Sequence, residues 1–249
     1  MFPVLQIGPL ALQTSGLALL AGLWIGLSLA EQFAPKRGIQ SNALYNLVFI
    51  ALACGAVGAR LGYVLRYTAV FAENPASLLS LNPGLLSPGD GMVTAALGAW
   101  VYGHRKGLPL WNVLDVLTPV VAVMAAAVGI SHLASGAAFG SATEMPWGLE
   151  LWGARRHPTQ VYEILAALLI LAILWPGRKQ VQSWPPGRYF LSFLAASAGA
   201  RLFLEAFRGD STLLPGGFRM GQILAWLVLL GSLWGVGKLR NHKPIQQID

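Results

Sequence analysis

Met220-Gly221-Gln222-Ile223-Leu224-Ala225-Trp226-Leu227-Val228-Leu229-Leu230-Gly231-Ser232-Leu233-Trp234-Gly235-Val236-Gly237 holds no charged side chain. Wound as a helix at about 1.5 Å per residue, such a run approaches the ~30 Å apolar thickness of a bilayer. Met1 to Ala30, Gly38 to Ala59 and Val116 to Thr143 are free of charged residues as well. Over the whole chain 55% of residues are hydrophobic and 11% are charged, and the mean hydropathy is +0.58, which excludes an ordinary soluble domain. These segments predict an all-α membrane protein, a single polytopic transmembrane domain over residues 1–249. About seven helices are expected, at roughly 13–30, 43–67, 91–103, 112–131, 160–175, 188–208 and 219–237. The first apolar run has no basic segment before it and no small-residue cleavage pattern after it, so it reads as a retained span rather than a removed signal peptide.

Charge sets the expected orientation. Lys36, Arg37, Arg105, Lys106, Arg178, Lys179, Arg188, Lys238, Arg240 and Lys243 fall on one side of the seven segments, and the positive-inside rule makes that side the cytoplasm. The N-terminus is then outside and the C-terminus cytoplasmic. Arg60, Arg66, Arg155, Arg156, Arg201, Arg208 and Arg219 fall on the other side, so the 17 basic residues divide 10 in and 7 out, with every lysine inside. An outward set made only of arginine opposes the topology rule, and a planar fork that grips phosphate with two bonds supplies a reason to keep it. The net charge of +7 is spread between apolar runs rather than clustered on a soluble face, which argues against nucleic acid and for anionic lipid. Cys54 is the only cysteine and lies inside an apolar run, so no disulfide can form within the chain; no metal or cofactor is called for.

Two segments carry the outward arginines into the membrane. In Gly58-Ala59-Arg60-Leu61-Gly62-Tyr63-Val64-Leu65-Arg66-Tyr67 a helix places Arg60, Tyr63 and Tyr67 on one face, and Gly55, Gly58 and Gly62 permit close approach by a neighbouring helix. Gly199-Ala200-Arg201-Leu202 repeats the opening letters, and Arg201, Glu205 and Arg208 follow at spacings of four and three. Arg60 and Arg201 fall inside the outer boundary, where an unpaired charge costs at least ~2.5 kcal/mol. Glu205 can pair with Arg201 or Arg208, and two arginines against one acid leave positive charge for a lipid phosphate. The outward connection from His132 to Thr159 holds Trp147 and Trp152, expected at headgroup level, and ends in Arg155-Arg156-His157-Pro158-Thr159-Gln160-Val161-Tyr162-Glu163. That run sets a guanidinium, an imidazole, an amide and a carboxylate where a span re-enters the membrane. Pro158 suits the first turn, and Gln160 and Glu163 share one side.

These motifs, in this order, resemble the prolipoprotein diacylglyceryl transferase family over nearly the whole length. Ile7-Gly8-Pro9-Leu10-Ala11-Leu12 is similar to its N-terminal arm, Gly58-x-Arg60-x-Gly62-Tyr63-x-x-x-Tyr67 to its second span, and Asp115 with Pro119 to the start of its fourth. Arg156 to Glu163 resembles its strongest motif, followed by Arg201-x-x-x-Glu205-x-x-Arg208 and Met220-Gly221-Gln222-Ile223-Leu224. The chain departs from the family at Ser15, at Met92-Val93-Thr94 and at Gly129 and His132, where the resemblance implies tyrosine, His-Gly-Gly, arginine and asparagine.

The resemblance implies a bacterial inner-membrane enzyme that moves diacylglyceryl from phosphatidylglycerol, or another anionic phospholipid, to the cysteine of a lipobox signal peptide. The reaction would be a displacement at the glycerol carbon that bears the phosphate. Arg201 is then the first choice to meet the departing phosphate, with Arg60 and Arg156 as further phosphate holders and Arg208 beside them. Glu205 would orient a guanidinium, Gln160 and Tyr162 would hold the headgroup or lie in the layer behind it, and Tyr63 and Glu163 would complete the binding set. A thiol needs a base, and His157 and His132 are the outward histidines. The alternative is a member of the same fold that binds phospholipid or a lipoprotein precursor without chemistry, as an accessory or assembly subunit of a membrane complex.

Overall fold

A computed structural model describes residues 4–7, 10–80 and 82–241. Gly8 and Pro9 of the N-terminal arm and the tail residues His242 and Lys243 lie outside the described residues. The elements are a hairpin of β1 (Val4–Ile7) and β2 (Leu10–Gln13), then α1 (Thr14–Phe33), α2 (Ser41–Arg66), short α3 (Thr68–Glu73), α4 (Pro88–Arg105) and α5 (Leu110–Ser135). A second hairpin, β3 (Leu149–Leu151) and β4 (Ala154–Arg156), precedes α6 (Thr159–Ile173), short α7 (Lys179–Gln182), α8 (Arg188–Leu204) and α9 (Met220–Asn241).

Each of the seven expected spans is occupied by a helix. Five of them, α1, α2, α5, α8 and α9 with their adjoining turns, are long and apolar enough to cross a membrane. The other two differ for visible reasons. α6 is apolar but has 15 residues, and α4 has 18 residues bounded by Asp90 and Arg105. The two hairpins were not expected from the apolar pattern, because each is four residues or fewer per strand and its signal is in the turn.

The chain divides into two compact units, residues 34–113 and residues 1–33 with 114–249. In the smaller unit α2 packs against α4 through small residues. A side chain at Gly58 would overlap Thr94, one at Gly62 would overlap the Asp90 carboxylate, and one at Gly91 would meet Ala59 and the Gly55 carbonyl. The glycine spacing on α2 is therefore a seam, as the sequence predicts; where backbones approach this closely, van der Waals contact supplies the cohesion that a lipid solvent cannot. Arg66 closes the end of the seam with two bonds to Asp90, at 3.1 and 2.9 Å.

In the larger unit the strongest fixed point is the carboxylate of Asp115 on α5. It is fully buried and accepts hydrogen bonds from the backbone N–H of Gly187 at 3.0 Å and of Phe190 at 2.9 Å. Those groups open α8, so a negative charge meets the positive end of a helix and two donors that the helix cannot satisfy internally. Gly187 adopts φ 86°, the left-handed turn that aims its N–H at Asp115. Tyr189 then packs edge-on to Phe33 at 5.5 Å, and α1 passes close to α5 where Gly26 lies against the backbone of Val120. With α8 pinned at its start, Arg201 and Glu205 emerge at the far end at a set height.

The seam predicts a compensating pair. Gly58→Ala is expected to lower stability by about 1–3 kcal/mol through overpacking against Thr94, and adding Thr94→Gly should recover much of the loss. Thermal unfolding of the single and double variants in detergent measures both; equal losses in the two would contradict the seam.

Candidate functional site

The site in the larger unit is built on a short strap. Between α5 and the β3–β4 hairpin, residues 139–143 run extended between two neighbours. Ser141 N donates to the Phe207 carbonyl at 2.8 Å and Gly209 N to the Phe139 carbonyl at 2.9 Å, while on the other side His157 N donates to Ser141 at 3.0 Å and Thr143 N to Arg155 at 2.9 Å. Gly140 makes this possible, since any side chain there would overlap the His157 carbonyl. Arg156-His157 and Phe207-Arg208, far apart in sequence, are thereby held on either side of one strand.

Behind the strap lies a network of carboxylates and guanidiniums. Glu163, one turn into α6, receives Arg201 Nη1 at 3.1 Å and Arg208 Nη1 at 2.9 Å on the same Oε1 oxygen. Its other oxygen stands 3.6 Å from His132 Nδ1 at the end of α5. Arg201 Nε pairs with Glu205 Oε2 at 2.9 Å, and Arg208 makes a two-pronged contact with Asp210, each bond 2.9 Å. Glu205 is buried and also accepts from Ser211 Oγ at 2.7 Å. Its carboxylate fits only because Gly221 stands opposite: a Cβ there would lie 2.7 Å from the carboxyl carbon and from Oε1. Arg219 Nη1 donates to the carbonyls of Glu205 and Arg208, at 2.8 and 2.6 Å, and clamps the turn that carries both.

The charge balance differs from the expectation of two arginines over one acid. Glu163 and Asp210 bring two further carboxylates, so Arg201 and Arg208 meet three acids, and counted with Arg219, whose donor goes to backbone carbonyls, the cluster holds three guanidiniums and three carboxylates. Spacing along α8 and the turn after it could not show this, because Glu163 arrives from α6. What remains is an asymmetry of access. The Arg208 side chain is 12% exposed and fully engaged, whereas Arg201 is 41% exposed, and its Nη2 has no hydrogen-bond partner among the described residues. An anion can meet that outer edge while Glu163 and Glu205 hold the inner one.

The other residues singled out from sequence are placed as follows. His157 sets its ring edge-on to Phe207 at 5.2 Å, with Nδ1 3.5 Å from the Tyr162 hydroxyl. That hydroxyl in turn accepts from the Trp147 indole at 2.9 Å. Gln160 is fully buried, and its amide nitrogen donates to Ala137 at 2.8 Å, so it secures the turn before the strap rather than facing a headgroup. Thr159 Oγ1 does the same for the carbonyl of Ala138, whose φ is 54°. Arg156 donates to the carbonyls of Leu151 and Gly140, at 3.1 and 3.3 Å, and lies over the Phe139 ring. It holds the strap to the hairpin. Among the residues not singled out for the site, Asp210, Ser211 and Trp147 take part; Asp210, two residues past Arg208, is the one whose position offered a signal.

Arg60 and Tyr63 belong to the smaller unit. Arg60 donates to the carbonyl of Leu85 at 3.0 Å and to that of Ser77, and stands over the Phe71 ring at 5.7 Å. Tyr63 stacks against Tyr67 at 4.6 Å and meets Phe71 edge-on. The guanidinium expected to need an anion is supplied in large part by backbone carbonyls of the connection between α3 and α4. Among the described residues no three His, Cys, Asp or Glu side chains are grouped so as to hold a metal ion.

A family model described as prolipoprotein diacylglyceryl transferase matches residues 3–237. Phosphatidylglycerol--prolipoprotein diacylglyceryl transferases of Streptococcus pyogenes serotype M5 (strain Manfredo) and serotype M49 (strain NZ131) are each 31% identical to the chain over 250 residues, covering 97% of it and 96% of the relative.

Removing the shared acceptor tests the network. Glu163→Ala leaves two guanidiniums facing each other and is expected to cost about 3 kcal/mol, read as a lower unfolding temperature in detergent, with Glu163→Gln losing less. An unchanged midpoint for Glu163→Ala would contradict the dependence of Arg201 and Arg208 on this carboxylate.

Proposed function

The chain belongs to the prolipoprotein diacylglyceryl transferase family, and from that premise we propose that it transfers diacylglyceryl from phosphatidylglycerol to the lipobox cysteine of a preprolipoprotein. One observation carries the reading furthest. Arg201 is braced by Glu163 and Glu205 on its inner edge and open on its outer edge. In the displacement, sulfur bonds to the glycerol carbon and the carbon–oxygen bond to phosphate breaks, so negative charge grows on the departing glycerol phosphate. A guanidinium already held in place, in surroundings poor in water, stabilises that charge without having to reorganise.

A second feature supports a lipid substrate over a soluble anion. Between α8 and α9 runs a groove of about 750 Å³, lined by Gly199, Leu202, Phe203, Ile223, Trp226 and Leu227 among others. Arg201 does not line the groove but lies on the same helix between Gly199 and Leu202, so an acyl chain there would run along the element that carries the phosphate-binding edge. Phe203 is exposed and offers further apolar surface at the same level. Arg208, Asp210 and Arg219 act here as positioning residues: Arg208 donates to Glu163 and to the Asp210 carboxylate, and Arg219 donates to the backbone turn that carries Glu205.

The chain is a multi-pass helical membrane protein. We propose that all seven long helices cross the bacterial inner membrane, with α4 and α6 included, the N-terminus outside and the basic clusters in the cytoplasm; the distribution of lysine supports this. The anionic lipid and the signal peptide then reach the Arg201 edge from the outer leaflet.

Purified protein is expected to move a labelled diacylglyceryl group from phosphatidylglycerol to a lipobox peptide, and Arg201→Ala to reduce kcat by about 10²–10³-fold. Tight phosphatidylglycerol binding without any turnover would overturn the transferase reading and leave a lipid-binding accessory subunit.

A further inference from the structure

We propose that His132 is the general base that takes the proton from the acceptor thiol, with Glu163 as its orienting carboxylate; this deepens the transferase reading and rests on it. His132 Nδ1 faces Glu163 Oε2 at 3.6 Å, and the same carboxylate anchors Arg201 and Arg208 through Oε1. A carboxylate on Nδ1 fixes the tautomer with the proton on that nitrogen and leaves the Nε2 lone pair free for an incoming proton. The surroundings agree with this assignment. Nδ1 is the shielded nitrogen, the side chain is 33% exposed, and no hydrogen bond engages Nε2 among the described residues. The 3.6 Å separation is looser than a hydrogen bond and leaves Nδ1 without a hydrogen-bond partner, as is common for catalytic pairs before substrate binds.

A close approach of α5 to α6 lies beside this pair. One turn before His132, Gly129 lies against the start of α6: a Cβ there would stand 2.6 Å from Ile164 Cγ1 and 3.3 Å from the Gln160 carbonyl. A side chain there would require Ile164 to shift and would press on the Gln160 carbonyl, one turn before the residues that bring His132 to Glu163. The charged groups facing His132 are Glu163 from α6 and, across that carboxylate, Arg201 from α8 and Arg208 from the turn after it.

The other outward histidine has a different setting. His157 has no carboxylate within ion-pair distance among the described residues; its neighbours are the Tyr162 hydroxyl and the Phe207 ring. A base must hold an imidazolium for the life of the step, and a carboxylate does this where a phenol and a phenyl ring do not. The step balances simply. The thiol proton passes to His132 Nε2, the sulfur lone pair forms the bond to the glycerol carbon, and the carbon–oxygen bonding pair leaves on the phosphate at the Arg201 edge. His132 then returns its proton to water. Because one carboxylate holds both the base and the phosphate anchor, the attacking and departing ends of the reaction are set by a single side chain.

The test compares two acceptors on the full-length protein: a lipobox peptide with its cysteine, and the same peptide carrying selenocysteine, whose selenol is already ionised at neutral pH. His132→Ala is expected to lower the rate with the thiol by about 10²–10³-fold, while the rate with the selenol stays within a few-fold of wild type and retention of labelled phosphatidylglycerol is unchanged. Raising the pH should restore the variant's thiol rate as hydroxide supplies the thiolate, and His157→Ala should show no difference between the two acceptors. Equal losses with both acceptors, or full thiol activity in His132→Ala, would overturn the base assignment alone. A wild-type protein inactive with both peptides would overturn the transferase reading together with it.

Discussion

Holding guanidiniums inside a membrane protein is unfavourable unless each is matched, and the matching here runs through the single carboxylate of Glu163. Arg201 and Arg208 meet on one of its oxygens, and His132 faces the other. Charges removed from water lose several kcal/mol of hydration each, and only close, hydrogen-bonded partners return it. That requirement explains the rest of the local architecture. Glu205 must reach Arg201 from the end of α8, so α9 carries Gly221 where any side chain would displace the carboxylate. Arg219 must hold the turn that presents Glu205 and Arg208, and it does so by donating to their carbonyls rather than by joining the ion pairs.

The glycines act at a second level, as the points where backbone must come close enough for long-range polar contacts to form. Gly140 admits the strap between Arg156-His157 and Phe207-Arg208, and Gly129 admits α5 to α6. Neither position takes part in the chemistry. Each sets a distance between groups that do, which makes the site sensitive to changes well away from any reacting atom.

Much of the fold was legible in the sequence because membrane solvent imposes a simple rule on composition. The seven apolar segments became helices, and the α2 seam of Gly55, Gly58 and Gly62 met a partner helix as their spacing implied. The site was legible only in part. Arg201 and Glu205 lie four apart on one helix, and their pairing follows from helical geometry; Glu163 lies 38 residues earlier and its approach depends on how α6 packs on α8. For the same reason the charge balance was misjudged, since a count along one helix omits acids delivered by another. Arg60 shows the opposite limit. Its burial signalled a partner correctly, but backbone carbonyls of an irregular connection satisfy a guanidinium as well as an anion does, and no side-chain pattern announces them.

A departure from the family pattern can also be structural in origin. Gly129 occupies a position where the resemblance implies arginine, and here a Cβ would stand 2.6 Å from Ile164 Cγ1 and 3.3 Å from the Gln160 carbonyl, so the start of α6 lies against it. The approach of His132 to Glu163 follows one turn later on the same helix. The carboxylate turns one oxygen to the arginines and the other to a titratable ring. An imidazole beside the carboxylate that anchors Arg201 is the arrangement that a base for the acceptor thiol would need.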